Sequence, residues 1–220
     1  MKTHFIALML SGILILSCSE DNPVSQITDS KITAKEKISE VMNEARSGFA
    51  SDASLAAIYG REVDEYGEID LLNTSSFNAF VYVVQSDSLA VNEFYVPVFG
   101  AGAVMSPVNF QTMLSFVKDT SAAAILNSAF SLLSDVSINE SAVYSDSPEV
   151  ISLMNGRTDV SQFKSVNPDF KTDIFLLPSK SIDTTGVENS ADWIVNFYSD
   201  TGSLVLWFNS GTGAVTVISE

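Results

Sequence analysis

The 220-residue chain is 46% apolar and 10% aromatic, enough to build a packed core, and this composition excludes a disordered chain. Its formal charge of -16 leaves few cations to neutralise phosphates, which argues against nucleic acid and against anionic headgroups as partners. The one histidine, His4, and the one cysteine, Cys18, both precede the folded part, so Ser-His-Asp or Cys-His catalysis and His/Cys zinc sites are excluded there.

In chain order, Met1 to His4 carries a positive charge at Lys2, and Phe5 to Leu16 is apolar apart from Ser11 and Gly12. That run is too short for a membrane span, which takes roughly 20 residues, and it has the form of a secretory signal over residues 1–17. Its end, Ile15-Leu16-Ser17-Cys18, resembles the bacterial lipobox. The resemblance implies cleavage before Cys18, lipid attachment on its sulfur and an acylated amine. Ser19 in place of an aspartate implies sorting to the outer membrane, and Ser19-Glu20-Asp21 looks like the surface-export signals of Bacteroidota lipoproteins. Residues 18–32 then read as a polar, flexible tether.

Thr33-Ala34-Lys35-Glu36 has the form of a capping box, and Ile38, Val41, Met42, Ala45 and Phe49 follow at helical spacing. A helix is expected from about Ala34 to Phe49, with a short helical turn over Asp52 to Ile58 ended by Gly60. Glu62 to Leu72 reads as a hairpin or extended arm around Gly67. Strands are expected over Phe77 to Gln85, Glu93 to Phe99 and Ala103 to Met105. Ser106-Pro107 opens helical patterns over Val108 to Val117 and Ser121 to Leu133, and Ser147-Pro148 opens a short helix that stops at Gly156. Strands return over Lys171 to Leu177, Trp193 to Tyr198, Ser203 to Phe208 and Ala214 to Ile218.

The order repeats. Ser51-Asp52 through Gly60-Arg61 resembles Ser145-Asp146 through Gly156-Arg157. Phe80 to Asp87 aligns with Trp193 to Asp200, and Gly100-Ala101-Gly102-Ala103-Val104 aligns with Gly211-Thr212-Gly213-Ala214-Val215. These matches predict an α+β fold of two tandem repeats, residues 33–106 and 107–220, each with helices followed by an antiparallel sheet. The segment Asp52 to Val63, together with Asp192 to Phe197 and Thr212 to Val215, resembles the PepSY-like domains, among them β-lactamase-inhibitor-like lipoproteins of Bacteroidota. The resemblance covers most of Ala34 to Glu220, rests on mainly structural motifs, and implies an aromatic-led strand paired with one that ends in a Thr-Gly turn.

Candidate sites are few. Asp64-Glu65-Tyr66-Gly67-Glu68-Ile69-Asp70 is dense in acid, but its spacing does not match an EF-hand loop, and a solvated turn at Gly67 explains it. Gly211-Thr-Gly and Gly100-Ala-Gly lack the context of a phosphate cradle and read as turns between strands. On the strand Trp193 to Tyr198, Trp193, Val195 and Phe197 share a face that reads as core. Ile194, Asn196 and Tyr198 share the other, and Asn196 with Tyr198 are the candidate partner-binding residues. No residue is assigned a catalytic role, and no metal or cofactor is expected. The reading is a membrane-anchored, non-catalytic protein-binding or inhibitor-like module. The alternatives are a carrier of an apolar small molecule and, less favoured, a histidine-free carboxylate hydrolase.

Overall fold

A computed structural model describes residues 30–72, 78–89, 91–97, 137–142, 145–183, 185–186 and 190–219. Their strands are β1 (Lys31–Ile32), β2 (Ser54–Arg61), β3 (Ile69–Asp70), β4 (Ala79–Ser86), β5 (Val91–Tyr95), β6 (Lys171–Pro178), β7 (Ala191–Ser199), β8 (Gly202–Asn209) and β9 (Ala214–Ser219). The helices are α1 (Ile38–Gly48), α2 (Ser147–Asn155), α3 (Thr158–Val166) and the single turn α4 (Ser179–Ile182). The fold is α+β, with an antiparallel seven-stranded sheet ordered β5-β4-β2-β6-β7-β8-β9. No helix among the described residues is long and apolar enough to cross a membrane.

Strand alternation sends two sets of side chains to opposite faces of this sheet. Ile58, Phe80, Tyr82, Ile174, Leu176, Trp193, Val195 and Phe197 join one core cluster with the helices. Into it α1 contributes Ile38, Val41, Met42 and Ala45, at the spacing that keeps them on one stripe, and α2 contributes Val150, Ile151 and Met154. Each fully buried large aliphatic side chain stabilises by about 1.5–3 kcal/mol relative to exposure, so this helix-on-sheet layer holds most of the fold. Ala57, Tyr59, Val81, Val83, Phe94, Phe175 and Leu177 form a second cluster on the opposite face, with Ile182 and Ile194 against it.

The strands expected from alternation are present at β4, β6, β7, β8 and β9, and the helix opened by Ser147-Pro148 is α2. Asp146 caps α2 through a capping box with Glu149, with Pro148 in its first turn and Gly156 at its end. The same Asp146 carboxylate accepts from the Thr33 hydroxyl at 2.6 Å and the Lys35 amide at 2.9 Å, fastening the N-terminal segment to α2.

Several expectations are corrected. Asp52 to Ile58 is not a helical turn, because Ser54 to Arg61 is β2, an interior strand of the sheet between β4 and β6. Both neighbours bury it, and that pairing overrides the helical leaning of Leu55-Ala56-Ala57. The alignment of Ser51–Arg61 with Ser145–Arg157 therefore sets a strand against a helix, and the two segments are not equivalent. Helix α1 starts at Ile38, not Ala34, because Thr33 spends its hydroxyl on Asp146. Only the reciprocal half of the expected box remains, from the Thr33 amide to Glu36 at 3.5 Å. Lys31 and Ile32, assigned to the tether, pair with Asp70 and Ile69 as β1 against β3. Helix α3 was not expected at all. The expected strand over Ala103 to Met105, the two helical patterns between Val108 and Leu133, and the repeat boundary at 106–107 lie outside the described residues.

The acidic stretch Asp64 to Asp70 is a turn that leads into β3. Asp64 Oδ1 accepts from the amides of Tyr66 and Glu68, each at 2.9 Å, and Lys31 Nζ sits 2.6 Å from Asp64 Oδ2. Gly67 has φ +79, and a Cβ there would lie 2.5 Å from the Ser147 carbonyl, so the turn packs on the start of α2.

Candidate functional site

The second face of the sheet has an apolar part and a polar end, and the polar end is built around one acid. Asp173 enters on β6 between Thr172 and Ile174, is fully buried, and lies opposite Asn196 of β7. Gly60 pairs with Ile174, so the adjoining Arg61 of β2 reaches the same end. The Asp173 carboxylate joins three strands. Its Oδ2 accepts from the Tyr59 hydroxyl at 2.8 Å, while Oδ1 accepts from the Glu62 amide at 2.9 Å and the Tyr198 hydroxyl at 3.3 Å.

Burial is the main influence on this carboxyl and raises it from its ordinary value to about 6. The Glu62 amide, the Tyr59 hydroxyl and the Arg61 charge pull against that rise, and the Glu62 charge adds to it. The hydroxyls of Tyr59 and Tyr198 are pushed upward by burial first and by the Asp173 charge next, so both stay protonated and act as donors. Glu62 follows β2 with φ +49, a backbone region that side chains seldom adopt, and its amide donation to Asp173 holds it there. Glu62 in turn pairs with Lys171 at 2.9 Å and Arg61 at 3.4 Å. Two polar atoms beside this network, Arg61 Nε and Asn196 Oδ1, are buried and have no hydrogen-bond partner among the described residues.

Next to this network, residues 62–65, Asn78 and residues 170–172 line a cleft of about 240 Å3. Its walls are mainly polar, with Val63 and Phe170 as the apolar contributions.

Toward β9 the face opens. Ile194 of β7 faces Trp207 of β8, which faces Thr216 of β9, and Asn196 faces Val205. Ile194, Tyr198, Val205 and Trp207 are partly exposed, and Thr216 is exposed. Trp207 is oriented by Asp192, whose carboxylate accepts from the indole Nε1 at 3.1 Å and from the Ser210 amide at 2.9 Å.

The residues proposed from sequence fall at this site in different ways. Asn196 and Tyr198 do share the second face of the sheet, and Trp193, Val195 and Phe197 are core. Asn196, however, is only 5% exposed and cannot be a contact surface, because its side chain lies between Asp173 and Val205. Tyr198 stays partly exposed while its hydroxyl points inward to Asp173. The residues missed were Tyr59, Arg61, Glu62 and Asp173, which lie more than 100 positions apart in sequence across the β2–β6 junction. One signal was available: Asp173 is a single acid that directly precedes the apolar run Ile174-Phe175-Leu176-Leu177 and lies within the same strand.

Cys18 lies outside the described residues. No family model, no curated protein and no solved structure matches this chain.

Proposed function

We propose that this is a bacterial envelope lipoprotein, held at the outer membrane through Cys18, whose folded part is a non-catalytic protein-binding module. The observation that carries the binding reading is the partly exposed Ile194-Val205-Trp207 surface on the second face of the sheet, where one aromatic ring is fixed by Asp192. An apolar surface with a rigid aromatic anchor suits association with a protein, since Trp dominates interface hot spots and needs little ordering when already held. The lipid anchor rests on the lipobox alone. The acidic charge of -16 favours a partner with a neutral or basic face.

The reading of the folded part as two PepSY-like repeats has support in the connectivity. A helix leads into β2, which pairs with β4, and β4 with β5; two helices lead into β6, which pairs with β7, and β7 with β8. The two series meet antiparallel at Tyr59 and Phe175. The aligned stretches Phe80–Asp87 and Trp193–Asp200 occupy corresponding strands, β4 and β7, each the second of its series.

Two experiments test the proposal. With Cys18→Ala, the protein should move from the membrane fraction to the aqueous fraction of cell lysates; unchanged partition sinks the anchor. For the face, Val205→Lys places a charge at the middle of the open surface without removing a core contact. Photo-crosslinking in intact cells should give a discrete adduct with the parent chain and lose it with Val205→Lys, at an unchanged melting temperature. An adduct that survives the substitution would place binding elsewhere.

A further inference from the structure

The outer edge of β9 is the terminal edge of the seven-stranded sheet, and no strand among the described residues pairs with it. Such an edge presents a row of free backbone donors and acceptors, and proteins commonly protect it with Lys, Pro, inward charges or a bulge. Here Ala214 to Val217 is a regular run, paired residue by residue with β8, and it contains no charge and no proline. The bulge comes only afterwards: Val205 pairs with Ser219 and Leu206 with Val217, leaving Ile218 outside the register and 52% exposed. The absence of charge extends over the whole hairpin, since Thr201 to Ser219 contains no Asp, Glu, Lys or Arg in a chain of net charge -16.

We infer that this edge pairs with the same edge of a second copy of the chain, antiparallel about a two-fold axis at Thr216. In such a pair, residues opposite one another lie on the same face, so a two-fold axis through the strand sets like faces together. Thr216 then faces Thr216 of the second copy on the open side, a pairing that favours a cross-strand hydrogen bond. Val215 faces Val217 of the second copy on the helix side, where both are partly buried against the core cluster and their burial would be completed. The bulge at Ile218 ends the paired run.

Charge selects the occupant. Two bodies of net charge -16 repel in most orientations, and like charges placed directly opposite in a sheet are destabilising. The uncharged hairpin is a surface on which a second copy can dock with no like charges facing each other across the strands. The residual repulsion between the two bodies is long-range and screened by salt, so added salt strengthens this association. The inference does not depend on the binding reading of the open face.

The test is sedimentation of the full chain in detergent over a range of concentrations, at low and at moderate salt. The parent chain is expected to shift toward dimer as concentration rises, and at lower concentration when salt is added. Thr216→Lys, at an exposed position, should stay monomeric over the same range with an unchanged melting temperature. A second measurement uses chains in which Cys18→Ser leaves no native thiol. Adding Thr216→Cys should give a covalent dimer with a short bis-maleimide crosslinker, which alkylates one thiol at each end, whereas Thr212→Cys, in the turn before β9, should not. A parent chain that stays monomeric throughout overturns the inference, and so does a dimer indifferent to Thr216→Lys whose Thr216→Cys form does not crosslink.

Discussion

Trp193→Ala is expected to lower stability by about 3–5 kcal/mol, the range for deleting a large buried aromatic side chain. Trp193 is 1% exposed and is among the largest fully buried side chains. It stands on β7 between Leu176 of β6 and Phe208 of β8, on the face that packs against the helices. Its indole Nε1 donates to the Ser145 carbonyl at 3.2 Å, immediately before α2, so one side chain joins the sheet to the start of the helical layer. Alanine would leave a cavity bounded by two strands that cannot close, since both are held by continuous ladders. Trp193→Phe separates the two contributions. It keeps most of the packing and should cost less, with about 1 kcal/mol of its loss from the hydrogen bond. Equilibrium unfolding in urea measures both. A Trp193→Ala loss below about 1 kcal/mol would show that the layer is not packed on this ring.

How much of this was legible beforehand follows from what each element buries. β7 and β8 read clearly because one face is core and the other is polar or open, which writes a period of two into the sequence. α2 read clearly because its start carries its own chemistry, Asp146 with Pro148 and Glu149. β2 did not, since it is buried on both faces in the interior of the sheet, so Leu55-Ala56-Ala57-Ile58 shows no alternation. A short apolar run of that kind cannot be told from a helix turn by periodicity. Helix α3 went unseen for the opposite reason: of its residues only Val160 is buried, which leaves almost no stripe to detect. Tyr198 and Asn196 were placed on the correct face because alternation fixes side. The burial of Asn196 was not legible because its depth depends on Asp173 and Val205, neighbours supplied by other strands. The acid network could not be assembled from local pattern at all, as Tyr59 and Asp173 meet only when β2 pairs with β6.

That network sets the second large expectation, a loss of stability as pH rises from about 4 to about 6. In the unfolded chain Asp173 titrates at its ordinary value near 3.8, and in the folded chain at about 6, mainly because burial penalises the carboxylate. Between these values the folded state binds the proton that the unfolded state has released. Stability therefore falls with rising pH across this window and is flat, for this group, above it. The full contribution is present below the ordinary value, and the difference amounts to about 3 kcal/mol. Other carboxylates act with the opposite sign. Asp52 and Asp159 are held low by hydrogen bonds to Ser86 and Arg157 respectively, and they contribute at the acid end. The raw profile is a sum, so the decisive quantity is the difference between the parent chain and Asp173→Asn. Asparagine cannot ionise, yet its carbonyl can still accept from Tyr59. The variant should be less stable than, or equal to, the parent near pH 4, and should gain on it by about 3 kcal/mol on reaching pH 7. Tyr59→Phe gives a further check, because removing a donor to the carboxylate disfavours the charged form, so the fall in stability should start at the same pH but extend to higher pH. Urea unfolding of the three chains at half-unit steps of pH supplies the curves. A difference between parent and Asp173→Asn that stays constant from pH 4 to pH 7 would mean that the carboxyl is not held in this buried, three-strand setting.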